Sequence, residues 1–258
     1  MGPGLPGVGP GASWRAPGYD LGPVTTVLFI RHGLTALTGP ILVGWTPGIH
    51  LDERGQKQAA AIAARLRPVP LVAIVSSPLE RCVDTADALA AGREPAPRRE
   101  VDERVGEVRY GDWTGGELKV LVKDPLWATV QAHPSAVTFP GGEALRETQA
   151  RAVAAVRDWN ARLGADAVYA VVSHADVIKA ILADALGLHL DHFQRIVIGP
   201  ASLSVVRYTR LRPFVLRIND QAGDPVDLLE TKRKRGRRAR PAEAPSTPRP
   251  TAGTEATA

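Results

Sequence analysis

Residues 24–35 read VTTVLFIRHGLT, an apolar run that changes abruptly into Arg31-His32-Gly33. The run Val24–Ile30 predicts a buried β-strand, because it is short, continuous and rich in β-branched residues. Open α/β sheets bind ligands at the carboxyl ends of their strands, which is where these polar residues fall. Arginine offers a phosphate group a fixed bidentate cation, and histidine offers a nucleophile or a proton carrier. The stretch therefore predicts a phosphate site at a strand end.

Apolar runs alternate with helical patterns along the rest of the chain, which predicts βα units. Further strands are predicted at Leu71–Val75, Val168–Val172, Leu203–Tyr208 and Phe214–Ile218. The last two flank a short turn, so we expect them to pair antiparallel at one edge. The predicted fold class is α/β, a three-layer αβα sandwich with a mainly parallel central sheet, helices on both faces and an antiparallel edge strand.

Four helices are predicted from the spacing of apolar residues and from helix-end signals. One follows Asp52. The second begins at Ser77-Pro78-Leu79-Glu80, a capping box with proline at the first helical position. The third runs from Glu143 to Leu163 and the fourth covers Asp176–Leu186. A glycine follows each of the last two helices, as is usual at C-caps.

Both ends of the chain have compositions that predict disorder. Residues 1–23 are dominated by Gly and Pro, and residues 231–258 combine a basic block with a Pro-, Ala- and Thr-rich end. The basic tail holds eight Lys and Arg against two Glu, a net charge of +6, whereas the whole chain carries +5. Residues 1–230 therefore sum to −1, which is not expected of a nucleic-acid-binding surface. We interpret the tail as a solubilising extension, with contact to a nucleic acid or an anionic membrane as the alternative, and predict one folded domain over residues 24–230.

Composition favours a cytoplasmic protein. The chain has 258 residues, 44% of them hydrophobic, which suits one large domain or two small ones. A single cysteine, Cys82, excludes an internal disulfide and suits a reducing compartment. No apolar stretch is long enough to span a membrane, and the N-terminal segment lacks the apolar core of a secretory signal. Membrane partners are therefore not expected.

The first three predicted strands all end in polar residues. Arg31 and His32 follow the first strand, Arg81 lies just beyond the second, and His174 follows the third. If these strands are parallel, the four side chains share one pocket at the rim of the sheet. Taken singly, Arg81 resembles a surface arginine paired with Asp84, and His174 resembles a hydrogen-bonded core histidine. The combination favours a site, and the remaining histidines show no metal-ligand spacing, so no metal is expected.

The chain contains five motifs in order: FIRHGLT, SSPLERCVDTA, EVRYGDWTG, PGGE and VVSHADVIKAIL. In order and approximate spacing they resemble the histidine phosphatase (phosphoglycerate-mutase-like) superfamily, over about Val24 to Asn219. The chain looks most similar to the branch described as phosphomutases of high-GC Gram-positive bacteria, and its Ala-, Arg-, Gly- and Pro-rich composition agrees. The resemblance implies an enzyme without a cofactor, a small phosphorylated substrate and a homodimer.

The resemblance also implies roles for the four residues of the predicted pocket. His32 matches the histidine that becomes phosphorylated. Arg31 and Arg81 match the arginines that hold the phosphoryl oxygens. His174 matches the second histidine of the phosphate pocket.

Glu107 matches the acid that protonates the leaving oxygen. Asp102 and Glu103 are rival carboxylates by proximity, and only the motif alignment puts Glu107 ahead of them. The acid must be protonated when the ester binds, so we expect a raised pKa for this carboxyl and an activity optimum on the acid side of neutrality.

Three further residues are expected to bind the substrate phosphate: Thr35, Thr38 and Ala175. The backbone N–H of Ala175 supplies a donor at a position where many relatives have glycine. Thr38 stands where relatives commonly carry asparagine, and its hydroxyl can still donate a hydrogen bond, although with a shorter reach. Substrate specificity is therefore less constrained by the resemblance than phosphate binding.

The sequence predicts a metal-independent phosphomonoesterase that acts through a phosphohistidine on a small phosphorylated metabolite. A phosphoglycerate-mutase-type phosphomutase is the first alternative, but the segment from Glu107 to His174 is compact and shows no basic clamp for a second phosphate or carboxylate. The second alternative is a non-catalytic protein that binds a phosphate ligand. Residues 112–140, which include Trp113 and Trp127, are expected to cap the pocket and to choose the alcohol.

Overall fold

A computed structural model describes residues 24–222 of the chain. The predicted disorder of residues 1–23 and 231–258 lies outside the described residues, and so does the predicted domain end at residue 230. Eight strands are present in the described part: β1 Thr25–Arg31, β2 Ile41–Leu42, β3 Ala73–Ser76, β4 Arg98–Val101, β5 Gly116–Glu117, β6 Val168–Ser173, β7 Leu203–Tyr208 and β8 Pro213–Asp220.

Six of these strands form the central sheet, in the order β4-β3-β6-β1-β7-β8, and β2 pairs with β5 in a separate ribbon. The strands β4, β3, β6 and β1 are parallel, whereas β7 and β8 are antiparallel to their neighbours. The predicted α/β fold with a mainly parallel sheet and an antiparallel edge is confirmed. The register sets Arg31 opposite Ser173, so the carboxyl ends of β1 and β6 lie side by side.

The described residues contain six α-helices: α1 Glu53–Leu66, α2 Glu80–Ala90, α3 Leu118–Leu121, α4 Pro125–Ala132, α5 Leu145–Leu163 and α6 Ala175–Leu186. Asp52 caps α1 by accepting a hydrogen bond from the Gly55 N–H at 2.8 Å. The glycine C-cap of α6 is confirmed, since Gly187 adopts the left-handed conformation that glycine tolerates best. Between residues 24 and 222, no helix combines the length and apolarity needed to cross a membrane.

The predicted capping box at the start of the second helix is wrong. Helix α2 begins at Glu80, and its N-cap residue Leu79 makes no side-chain cap. The Ser77 hydroxyl lies 2.8 Å from Nε2 of His174 and accepts a hydrogen bond from the Leu79 N–H at 3.3 Å. Ser77 therefore belongs to the rim of the sheet and not to the helix.

Alternate residues of β1 enter two separate cores, one on each face of the sheet. Val27 and Phe29 pack with α5 and α6, whereas Leu28 and Ile30 pack with α1 and α2. Each of these side chains is almost fully buried, which contributes on the order of 1.5–3 kcal/mol per residue. Cores on both faces hold the strand rigidly and thereby fix the position of the residues that follow it.

Candidate active site

A cavity of about 340 Å³ opens at the carboxyl ends of the parallel strands. Seven of the eight site residues predicted from the sequence line it: Arg31, His32, Thr35, Thr38, Arg81, Glu107 and Ala175. The eighth, His174, is fully buried and contacts several of them. Residues from distant parts of the sequence therefore meet at one rim, as the sheet topology predicts.

His32 is held as a neutral imidazole with one free nitrogen. Its Nδ1 lies 2.7 Å from the carbonyl oxygen of Gly33. Because a carbonyl only accepts, Nδ1 carries the proton and Nε2 keeps its lone pair. Burial, reinforced by the charges of Arg81 and Arg31, lowers the pKa of His32 well below its usual value. The ring therefore has the protonation state that a nucleophile needs.

Gly33 allows the segment after β1 to pack tightly against the start of α1. A Cβ at this position would lie 2.7 Å from the carbonyl oxygen of Gly55. The Gly33 N–H also donates a hydrogen bond to Oγ1 of Thr85 on α2, at 3.1 Å. Glycine is required here by the close approach of two backbones, which fixes the exit of the chain beyond His32.

Two guanidinium groups line the cavity, and each has a buried donor that is unused. One terminal nitrogen of Arg31 donates to the Ile198 carbonyl at 2.7 Å, and one of Arg81 donates to the Gly44 carbonyl at 2.9 Å. In contrast, Nε of Arg31 and Nη1 of Arg81 are buried without a hydrogen-bond partner. Unpaired buried donors are costly, so both groups are suited to an anion with several oxygens.

The surface pairing considered for Arg81 is not formed. Only 2% of Arg81 is exposed. Its candidate partner Asp84 accepts hydrogen bonds from the Leu51 N–H and from the His50 ring instead, at 3.1 and 3.0 Å. The i,i+3 spacing suggested an ion pair on the helix surface, but Arg81 points into the molecule.

His174 links the arginine to the carboxyl group. Its Nδ1 lies 3.3 Å from Nη2 of Arg81 and 3.5 Å from Oε2 of Glu107, while Nε2 contacts the Ser77 hydroxyl. Burial and the nearby charge of Arg81 lower the pKa of His174 well below its usual value. Because the guanidinium can only donate, Nδ1 accepts and Nε2 carries the proton. The ring centroids of His174 and His32 are 5.2 Å apart.

Glu107 is the carboxyl group with the properties expected of a proton donor at neutral pH. Burial raises its pKa to about 7, against the opposing charge of Arg81. The main chain is fixed by two donors to the Glu107 carbonyl, Nε1 of Trp45 at 2.7 Å and Nη2 of Arg151 at 2.9 Å. A carboxyl with this pKa is available in both protonation states near pH 7.

The two rival carboxylates lie outside the cavity lining. Asp102 accepts hydrogen bonds from Arg104 and from Nε1 of Trp159, and these bonds lower its pKa although burial acts in the opposite direction. Glu103 is exposed and contacts Arg109 at 3.5 Å. Neither residue has access to a ligand that occupies the cavity.

The three predicted substrate-binding residues lie around the same cavity. Oγ1 of Thr38 accepts a hydrogen bond from the Thr35 N–H at 3.0 Å, and the two hydroxyl groups are 2.9 Å apart. Ala175 is the first residue of α6. Its N–H is among those that a helix leaves without an intrahelical partner, which favours an anion at this end.

Most of the remaining cavity wall was not anticipated from the sequence, and the exception is Leu118, which lies in the segment 112–140 that was expected to cap the pocket. This wall is largely apolar and includes Ile41, Leu42, Val43, Leu118 and Pro200. Two polar residues, Tyr110 and Asp176, complete it, and the Tyr110 hydroxyl donates to Asp176 at 3.0 Å. Asp176 stands within the VVSHADVIKAIL motif, but only the packing of distant segments brings Tyr110 beside it.

Comparison with known proteins now identifies the family. The sequence model of the histidine phosphatase superfamily (branch 1) matches residues 27–221. The chain belongs to the histidine phosphatase superfamily.

Curated relatives of the chain include several bacterial proteins. The chain is 31% identical over 204 residues to a bifunctional protein of Mycobacterium tuberculosis, covering 78% of this chain and 55% of that relative. It therefore spans about half the length of that protein. It is 32% identical over 179 residues to phosphoserine phosphatase 1 of Hydrogenobacter thermophilus, covering 66% and 80% of the two chains. The mycobacterial relatives agree with the high-GC branch indicated by the motifs.

Solved structures resemble the fold of this chain closely. YhfR of Bacillus stearothermophilus is 28% identical, with a TM-score of 0.70 over 76% of this chain and 97% of its own. A mycobacterial glucosyl-3-phosphoglycerate phosphatase is 26% identical, with a TM-score of 0.67 over 76% and 99% of the two chains. These proteins match nearly their whole length to the described domain.

The expectation that Trp113 and Trp127 cap the pocket is wrong. Trp113 is 5% exposed, stacks on Trp127 with ring centroids 6.1 Å apart, and meets the edge of Phe139. Neither tryptophan lines the cavity, and Leu118 alone represents the segment 112–140 in the lining. Trp113 lies in the core and Trp127 packs against it, because burial of an indole ring removes a large apolar area from water.

Replacing Trp113 with alanine is therefore expected to destabilise the fold without changing substrate preference. Loss of a buried indole typically costs about 3–5 kcal/mol of the free energy of unfolding. Chemical denaturation measures this loss, and kcat/KM ratios between substrates should equal those of the wild type. A variant with unchanged stability but altered kcat/KM ratios between substrates would show that Trp113 contacts the substrate.

Proposed function

We propose that this chain is a metal-independent phosphomonoesterase that hydrolyses a small phosphorylated metabolite through a phosphohistidine on His32. The observation that carries the proposal is the pair of buried, unpartnered guanidinium nitrogens of Arg31 and Arg81 beside a neutral imidazole. Phosphoryl transfer requires positioning and stabilisation of the charge on the equatorial oxygens, which two guanidinium groups provide.

In the first half-reaction, Arg31, Arg81 and the Ala175 N–H hold the phosphoryl oxygens of the ester. The lone pair on Nε2 of His32 attacks phosphorus as the bond from phosphorus to the alcohol oxygen breaks. Glu107, protonated at this stage, donates its proton to the departing oxygen. The alcohol leaves, and His32 carries the phosphoryl group.

In the second half-reaction, water takes the place of the alcohol. The Glu107 carboxylate accepts a proton from this water, whose oxygen attacks phosphorus while the bond to Nε2 of His32 breaks. Inorganic phosphate leaves, and both residues return to their starting states. His174 supports both steps by accepting a hydrogen bond from Nη2 of Arg81 through its Nδ1, which holds that guanidinium group in place.

The phosphatase reaction is favoured over a mutase reaction. Among the described residues that line the cavity, the permanent cations are Arg31 and Arg81, and both lie at the proposed phosphoryl position. A phosphomutase must hold a second anionic group of its intermediate as well. The phosphatase names of the relatives, among them phosphoserine phosphatase and glucosyl-3-phosphoglycerate phosphatase, support the same choice. The cytoplasmic location and the homodimer stay predictions that accompany this proposal.

Hydrolysis of p-nitrophenyl phosphate in the presence of a chelator tests the proposal. We expect release of p-nitrophenol at a rate that the chelator does not change, because the guanidinium groups supply the positive charge. A rate lost with chelator and restored by a divalent cation would contradict metal independence. A parallel assay with 3-phosphoglycerate and a 2,3-bisphosphoglycerate primer tests the mutase alternative, which predicts isomerisation faster than release of phosphate.

A further inference from the structure

One charged side chain of the cavity lining has no role in the phosphoryl transfer proposed above. Apart from the seven lining residues assigned to that chemistry, the described lining is apolar or glycine except for Tyr110 and Asp176. About a quarter of the Asp176 side chain is exposed. The alcohol portion of a bound phosphate ester therefore meets an apolar wall and one carboxylate.

The structure holds Asp176 in a fixed orientation. The Tyr110 hydroxyl donates to Oδ2 and Lys179 Nζ donates to Oδ1, each at 3.0 Å. Lys179 is itself fixed by a bond of 3.1 Å to Oε1 of Gln194. Burial acts to raise the pKa of Asp176, but Lys179, Tyr110 and the charge of Arg31 together outweigh it and keep that pKa below its usual value. Asp176 is therefore an ionised group at the N-terminus of α6, where negative charge is stabilised.

This carboxylate has capacity left for a ligand. An ionised carboxylate offers about four acceptor sites on its two oxygens, and the known partners use one on each. A hydroxyl or an ammonium group of a ligand can donate to those that remain. A second anion of a ligand would instead face Asp176 with like charge, which is unfavourable where little water screens it.

We propose that Asp176 is a specificity-determining residue that selects alcohols bearing hydroxyl or ammonium donors and rejects alcohols bearing a second anion. The inference rests on the proposed function and narrows its substrate class. The substrates expected are phosphate monoesters of neutral or cationic alcohols, with an apolar part that contacts the wall of Ile41, Leu42, Val43, Leu118 and Pro200.

A matched pair of substrates tests the inference. Glycerol 1-phosphate and 3-phosphoglycerate are both esters of a primary alcohol and differ at the far end, where one has a hydroxymethyl group and the other a carboxylate. We expect wild-type kcat/KM to favour glycerol 1-phosphate by at least about tenfold, and Asp176→Asn to bring the ratio close to one. Because Glu107 serves both substrates, any effect of the substitution on its pKa cancels in the ratio.

Phosphoethanolamine provides an independent probe, since its ammonium group is attracted by the carboxylate. Asp176→Asn should lower kcat/KM for phosphoethanolamine relative to glycerol 1-phosphate, mainly through KM. Asp112→Asn is the control, because it removes the same charge from an exposed residue outside the cavity lining. The control should leave both ratios at their wild-type values.

Each outcome separates the inference from the function on which it rests. If wild type hydrolyses p-nitrophenyl phosphate but shows no preference within the pair, the inference is overturned and the phosphatase proposal stands. An equal loss of kcat/KM for all substrates in Asp176→Asn would also overturn the inference, because Asp176 would then only hold Tyr110 in place or stabilise the fold. Absence of hydrolysis of p-nitrophenyl phosphate by wild type would instead overturn the proposed function itself.

Discussion

Replacing His32 with alanine is expected to lower kcat for p-nitrophenyl phosphate by at least about 10⁴-fold, the scale seen when an enzyme loses its nucleophile. The substitution removes Nε2, the atom that forms the bond to phosphorus. Arg31 and Arg81 remain, so we expect the variant to keep its affinity for inorganic phosphate. Steady-state kinetics and a phosphate competition assay measure the two quantities.

His50→Ala is the matched control, because His50 is exposed and contacts Asp84 away from the cavity lining. This variant should retain wild-type activity. Activity of His32→Ala close to that of wild type would contradict nucleophilic catalysis by His32. If the wild type binds phosphate as tightly as the variant and neither protein hydrolyses p-nitrophenyl phosphate, the chain is a phosphate-binding protein.

Replacing Glu107 with glutamine is expected to affect two steps differently. With alkyl phosphates, kcat/KM should fall by about 10²–10⁴-fold, because the alkoxide leaves without a proton donor. With p-nitrophenyl phosphate the leaving group is stable as an anion, so the first turnover should survive. Hydrolysis of the phosphoenzyme still lacks its base, and a rapid burst of about one p-nitrophenol per chain should precede a slow steady state.

The pH dependence of the wild type provides the second signature of Glu107. Its pKa, raised to about 7 by burial, means that the protonated acid is present below neutrality and is lost as the pH rises through that value. The kcat/KM of an alkyl phosphate should therefore fall on the alkaline side of about pH 7. The lowered pKa of His32 keeps the nucleophile neutral well into the acid range.

Glu103→Gln controls for the loss of one nearby carboxylate, because Glu103 is exposed and lies outside the cavity lining. The Glu103→Gln variant should retain the fall of kcat/KM above about pH 7 and should release p-nitrophenol without a burst. In Glu107→Gln, this fall of kcat/KM should be lost. A wild-type profile that is flat across neutrality would exclude Glu107 as the acid.

Most of the sheet was predictable because its central strands are apolar on both faces. The strand β1, for example, places alternate residues in two different cores, so its sequence is a continuous apolar run. The edge strand β4 was missed, since Arg98–Val101 is largely exposed and reads as a polar segment. The short helices α3 and α4 were also missed, because Gly and Pro interrupt the pattern around them.

The site residues were predictable where they directly follow the end of a strand, as His32 does. Contacts between side chains of distant segments were not, and Tyr110 and Asp176 are 66 positions apart. For the two tryptophans, in contrast, the sequence led to a contact with the pocket that the structure does not have. Periodicity and composition do not distinguish an aromatic ring that lines a pocket from one that fills a core, and Trp113 belongs to the core.

Trapping the phosphoenzyme tests the account most directly. Glu107→Gln would be mixed with a ³²P-labelled phosphate ester of p-nitrophenol, quenched in alkali, digested and analysed by mass spectrometry. We predict about one phosphoryl group per chain on a nitrogen of His32, stable in base and lost in acid. A burst of p-nitrophenol without label on the protein, or with label on a residue other than His32, would contradict it.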